Sequence, residues 1–136
     1  MRFWLLKSEA KDFSWQDLLA CPEKTTDWSG VRNFSARKHL CAMQRGNLAF
    51  FYHSGVKIPQ IVGIVEIVRE AYPDEGNWFK VDVQAKEELV NPVHWTAFRH
   101  FPESEILRRQ PRLSVVPIEA ALWTSILALA QGKLAS

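Results

Sequence analysis

The chain has 136 residues, 47% of them hydrophobic and including six Trp and eight Phe, which suffices for one buried core and excludes a disordered polymer. Its longest apolar stretches, Ile61–Val65 and the pattern from Ala120 to Ala130, fall short of the roughly 20 residues that span a bilayer. The net charge of +2 is small, but between Asp27 and Glu66 there is no acidic residue, whereas Arg32, Arg37, Lys38, Arg45 and Lys57 lie in that window.

Residues 1–136 read as a single domain without linker, repeat or low-complexity segment. Phe3 to Lys7 is an apolar run expected as a buried first strand, and the start lacks a secretory h-region, so the expected location is cytoplasmic, or nuclear in a eukaryote. Ser14 with Asp17 forms a capping-box pattern ahead of a short helix striped by Trp15, Leu18 and Leu19, which Cys21-Pro22 ends. Thr25 to Gly30 is rich in turn formers around Trp28. Asn33 then suits the N-cap of a second helix reaching about Met43, with Arg37, Lys38 and His39 on its polar side and Phe34, Leu40, Cys41 and Met43 for burial.

Leu48 to His53 is apolar almost throughout and predicts a strand covered on both faces. Gln60 to Arg69 is a β-branched strand whose Gly63 marks a bend or a close approach by another group. After a turn over Tyr72–Asn77, Phe79, Val81, Val83 and Ala85 alternate with Lys80, Asp82 and Gln84, which puts Trp78 on the polar side. Residues 91–111 are irregular, with short helical turns expected near Trp95–Phe98 and Glu103–Leu107. Leu113–Pro117 reads as a last strand, and Ile118–Ala130 as a helix striped by Ala121, Leu122, Ile126 and Leu129. Short strands interleaved with short helices predict an α+β fold built on a small curved or closed sheet.

Chemistry is sparse. Cys21 and Cys41 have no paired spacing, and His39, His53, His94 and His100 have no ligand spacing, so no disulfide, metal or cofactor is expected. His53 beside Ser54 invites a nucleophile-and-base reading, but neighbours on a strand point to opposite faces. Trp28, flanked by Asp27, Ser29, Gly30, Arg32 and Asn33, is a candidate stacking platform whose loss would weaken binding more than stability, or else a plug for the end of the sheet. Trp4 and Trp123 read as core. The acid-free window, with Arg108, Arg109 and Arg112 further on, fits a phosphate track or a solvated face.

The blocks Trp4-Leu5-Leu6-Lys7-Ser8-Glu9, Trp28-Ser29-Gly30-Val31-Arg32-Asn33, Phe51-Tyr52-His53-Ser54 and Arg69-Glu70-Ala71-Tyr72-Pro73-Asp74 occur in this order and resemble the EVE domain of thymocyte nuclear protein 1-like proteins. The resemblance implies a PUA-like fold, a small mixed β-barrel with short helices at its edges, and a non-enzymatic module that takes a modified cytosine of DNA into an aromatic-lined pocket. The related YTH readers of methylated adenine leave RNA as the alternative partner, and a small enzyme using His53 is the alternative from another class. Carried over, Lys7, Ser8, Trp28, Ser29 and Asn33 would line the pocket, with Tyr52, His53 and Ser54 on the facing strand. Arg32, Arg37, Lys38 and Arg109 would hold phosphates, and Trp78 would be a second wall or an exposed Trp. Two departures from the family pattern are Ala10, where Pro is usual, and a short segment between Asp74 and Trp78.

Overall fold

The computed structural model describes residues 1–132. Its frame is a mixed six-stranded sheet made of β1 (Phe3–Glu9), β2 (Thr25–Trp28), β3 (Leu48–Ser54), β4 (Gln60–Pro73), β5 (Phe79–His94) and β6 (Val115–Ile118), in the order β2-β5-β4-β3-β1-β6. β1 pairs in parallel with β3 and antiparallel with β6, and the remaining ladders are antiparallel. The parallel pair requires a long crossover. Residues 10–47 supply it, carrying α1 (Trp15–Leu19), β2 and α2 (Phe34–Ala42).

Local chemistry sets both crossover helices. The Ser14 hydroxyl accepts the Asp17 N–H at 3.1 Å while the Ser14 N–H donates to the Asp17 carboxylate at 2.8 Å, the expected capping box. Asn33 caps α2, its Oδ1 accepting the Ala36 N–H at 2.9 Å. Only Ala36 and Leu40, one i,i+4 row, are buried along this nine-residue helix. The expected burial of Phe34 and Cys41 is therefore corrected, since both point to solvent.

Trp4, Leu5, Leu6, Phe50 and Phe51 are fully buried, as the unbroken apolar runs of β1 and β3 anticipate. The Trp4 indole N–H is satisfied by Asn47 Oδ1 at 3.1 Å, so this buried nitrogen keeps a partner. α5 (Ala120–Ala130) packs against β5 and buries Leu122, Trp123, Ile126 and Ala130, with Ala121 exposed rather than in the stripe. Trp123 stacks between Phe3 and Phe50 at 4.4 and 3.9 Å. The shorter helices α3 (Trp95–Phe98) and α4 (Glu105–Arg109) lie in the connection to β6.

Two expectations are corrected by long-range pairing. Thr25–Trp28 is a strand rather than a turn, because β5 offers it a ladder from Gln84 to Val81. β5 runs on to His94 through residues expected to be irregular, because β4 pairs with it that far. The barrel-like sheet is curved rather than closed, one of the two forms expected, with β2 and β6 as its two edges. Register shifts within the β3/β4 and β4/β5 ladders bend the sheet instead. At Gly63 the face is filled by the Trp15 indole, which occupies the place a Cβ would take. Curling brings β2 opposite the end of β1 across a cleft, where the Trp28 ring meets Phe51 of β3 edge-on at 5.6 Å.

Candidate nucleic-acid interface

The cleft between the ends of β1 and β2 holds a recess of about 470 Å³, within the usual size range of small-ligand sites. Lys7, Ser8, Trp28, Ser29, Arg32 and Ser114 line it, together with Asp12, Phe13, Asp27 and Val31. Trp28 ends β2 and is only 8% exposed, so it belongs to the core as well as to the recess wall. Its removal therefore affects stability as well as binding, unlike that of a free loop Trp. Phe51 holds the ring, with interplanar angles of 88° to Trp28 and 77° to Trp15. A wall locked by packing needs no ordering when a ligand arrives.

The polar groups divide into donors and acceptors. The Ser8 hydroxyl donates to the Phe13 carbonyl at 2.5 Å, which leaves its oxygen lone pairs as acceptors. Lys7 Nζ donates to the Pro111 carbonyl at 3.0 Å, one of three ammonium donors, and burial pulls its pKa below the ordinary 10.5. The Asp27 carboxylate accepts from Lys80 at 3.0 Å. The rim is tied down from across the sheet. Asp74 accepts the Gly30 N–H at 3.0 Å and an Arg32 N–H at 3.2 Å, and the Gly30 bond foremost, with Arg32, holds its carboxyl below the usual range. Gly30 itself has φ +79°, a conformation suited to glycine.

Of the residues singled out in the sequence, the recess brings together Lys7, Ser8, Trp28, Ser29 and Arg32. The others lie elsewhere for identifiable reasons. Asn33 spends its side-chain oxygen on the α2 cap and borders a separate depression of about 390 Å³ with Arg109 and Arg112. Tyr52 is buried in a smaller cavity of about 170 Å³ that also touches Lys7, and burial pushes its phenol up to about 12. His53 Nε2 accepts the Trp15 backbone N–H at 3.0 Å, which places the ring proton on Nδ1. Ser54 closes the β1/β3 ladder opposite Glu9. Trp78 stacks on Phe34. Arg37 donates to the Asn77 carbonyl at 3.0 Å, Lys38 is exposed on α2, and Arg109 pairs with Glu105 at 3.1 Å.

Asp12, Phe13 and Ser114 were not singled out in the sequence. Ser114 precedes β6, and only the pairing of β6 with β1 brings it to Lys7, whose N–H donates to the Ser114 carbonyl at 2.9 Å. For Asp27 the signal available was its place beside Trp28. Among the described residues no group of three or more His, Cys, Asp or Glu is placed to hold a metal, and no helix is long and apolar enough to cross a membrane.

A bent mixed sheet with short helices at its margins and a polar, aromatic-walled recess between its curled ends defines an α+β domain of the PUA-like class. The EVE domain family profile matches residues 2–129, and the chain belongs to that family. Thymocyte nuclear protein 1 of Gallus gallus is 52% identical over 88 residues, a segment covering 58% of this chain and 36% of that protein. The matched segment is thus little more than a third of this relative's length. Among solved structures, human THYN1 in complex with 5-methylcytosine-containing DNA superposes with a TM-score of 0.88 at 33% identity, covering 96% of this chain and 98% of that one. The YTH domain of Zygosaccharomyces rouxii MRB1, in complex with N6-methyladenosine RNA, shares the fold at a TM-score of 0.59 and 17% identity, covering 95% of this chain and 86% of that one.

Proposed function

We propose that this chain is a reader of modified bases in nucleic acid, receiving an extruded 5-methylcytosine of DNA in the recess between β1 and β2. The observation that carries the reading is the recess itself, in which a fixed Trp28 stands beside Ser8, Lys7 and Ser29. Cytosine presents one amino donor, one ring-nitrogen acceptor and one carbonyl acceptor on its pairing edge. Ser8 supplies acceptor lone pairs and the Ser29 hydroxyl a donor, whereas the Lys7 ammonium is held toward the Pro111 carbonyl, on the other face of β1. Phe13 and Val31 give the methyl group apolar lining. Family membership and the likeness to the human protein bound to 5-methylcytosine DNA support the same ligand. His53 supports binding over catalysis, because the nitrogen that would take a proton already accepts the Trp15 N–H.

The methyl group sets the scale of discrimination. Burying one such group is worth roughly 0.8 kcal/mol, and pockets separate ligands differing by one methylene by about 1–3 kcal/mol. Preference for methylated over plain cytosine is therefore expected between a few-fold and about two hundred-fold. The test is competition between otherwise identical oligonucleotides, single-stranded and duplex, at fixed salt, followed by mass analysis of the recovered ligand. Single strands should bind tighter, since extrusion from a stable duplex costs a few kcal/mol. Trp28→Phe, which keeps a ring in the core, should weaken binding of every cytosine-containing strand. Equal affinity for both bases in both contexts would remove the modified-cytosine reading, tighter binding of methylated adenine in RNA would move it to the other nucleic acid, and altered ligand mass would identify an enzyme.

A further inference from the structure

Outside the recess the first turn of α2 carries a second aromatic feature. Phe34 is 68% exposed, whereas every other phenylalanine is buried or half-buried. Its ring stacks on Trp78 with centroids 5.3 Å apart and planes 24° from parallel. The Arg37 guanidinium lies 4.9 Å from the Phe34 ring and 5.3 Å from the Trp78 ring, and that of Arg32 lies 5.5 Å from Trp78. Trp78 is thus the inner ring, hemmed by two guanidinium groups, and Phe34 is the outer one.

This stack is fastened to the rim of the recess. Arg32 lines the recess and also lies over Trp78. The turn preceding Trp78 is bonded back to the same rim through Asp74, which accepts from Gly30 and Arg32, and to α2 through the Asn77 carbonyl, which accepts from Arg37. The surroundings favour an anion. Asp74 and Glu75 offset Arg32, but Arg37 and Lys38 make no ion pair among the described residues, and no acid lies between Asp27 and Glu66.

We propose that Phe34, backed by Trp78, is a stacking platform for the nucleobase next to the one held in the recess, with Arg37 and Lys38 toward the backbone of the same strand. This rests on the recess accepting a base. Extruding one base strips its neighbour of a stacking partner, and an exposed ring beside the recess replaces that partner without reading sequence. The Arg37 guanidinium, over the Phe34 ring at 4.9 Å, brings positive charge to the phosphate that follows the stacked base.

The experiment uses the full chain and short single strands containing one 5-methylcytosine or one plain cytosine, with the nucleotide on each side replaced in turn by an abasic site. Phe34→Ala should lower affinity for the intact strands about 5- to 150-fold, the range that loss of one base–aromatic stack gives. The loss should be equal for methylated and plain cytosine, and should shrink to less than about twofold when the stacked neighbour is abasic. Phe34→Trp should retain binding. 2-Aminopurine at the same neighbouring position should be quenched by the wild-type chain and not by Phe34→Ala. A melting temperature within about 2 °C of wild type would exclude unfolding as the cause, as expected for an exposed side chain. An unchanged affinity for intact strands, or the same loss whichever neighbour is abasic, overturns the platform. If methylated and plain cytosine bind alike while the abasic dependence of Phe34→Ala remains, the 5-methylcytosine reading fails and the platform stands. If the methyl preference is intact and Phe34→Ala is silent, the platform fails alone.

Discussion

Replacing Gly63 by alanine tests the packing that shapes the recess. Gly63 is not one of the glycines with positive φ, so alanine meets no backbone penalty there. The obstacle is the Trp15 indole, which fills the Cβ position. That ring has little room to retreat: it is 3% exposed, its Nε1–H donates to Glu88 at 2.8 Å, its backbone N–H donates to His53 at 3.0 Å, and it lies edge-on to Phe51 at 5.4 Å. Overpacking of this kind costs about 1–3 kcal/mol. For a domain of 136 residues, an unfolding entropy of about 2.1 cal/mol/K per residue gives roughly 0.29 kcal/mol/K, so the melting temperature should fall by about 3–10 °C. Because Trp15 and Trp28 both rest on Phe51, ligand affinity should fall with it. The assay is thermal and urea unfolding of Gly63→Ala, Trp15→Phe and the double variant. A smaller ring makes room for the added methyl, so the double variant should be more stable than the sum of the single effects predicts. An alanine variant melting within about 1 °C of wild type, or strict additivity, would refute the reasoning.

Two further perturbations probe the supports of the site. Burial holds His53 below its ordinary 6.5, and burial, then Lys38 and Arg2, do the same for His39. A lowered folded pKa means the unfolded chain binds more protons, so this contribution is fully present above about pH 6.5 and is lost as pH falls from there toward the folded pKa. Urea unfolding between about pH 5 and 7.5 should show stability rising with pH, with a smaller slope in His53→Gln; identical slopes would mean that His53 does not titrate on unfolding. Asp74→Ala removes the acceptor of the Gly30 N–H and the partner of Arg32, so amide exchange at Gly30 should accelerate and ligand affinity should drop. Unchanged exchange would show that the rim holds itself without the turn beyond β4.

The sequence by itself determined what depends on neighbours three or four residues apart. The Ser14–Asp17 capping box and the Asn33 cap involve only such neighbours, and both helices start where those residues predict. Composition and apolar runs likewise determined β1 and β3 as buried strands, because strands covered on both faces show no alternation. The ordered blocks around Trp28 and Tyr52 carried the family resemblance, and the profile match over residues 2–129 agrees with it. Tertiary structure alone decided the rest. Thr25–Trp28 has turn-forming neighbours and becomes a strand because β5 lies beside it. Gly63 signalled a close approach, but that Trp15 makes it follows from folding α1 onto β4. The recess joins Lys7 and Ser8 to Trp28 and to Ser114, residues drawn from three strand ends, and it excludes Asn33, His53 and Trp78, whose types suited it equally well. Residue type states which bonds a side chain can make, whereas strand order, register shifts and sheet curvature determine which partners come within reach, and those are set by pairings between residues far apart in the chain.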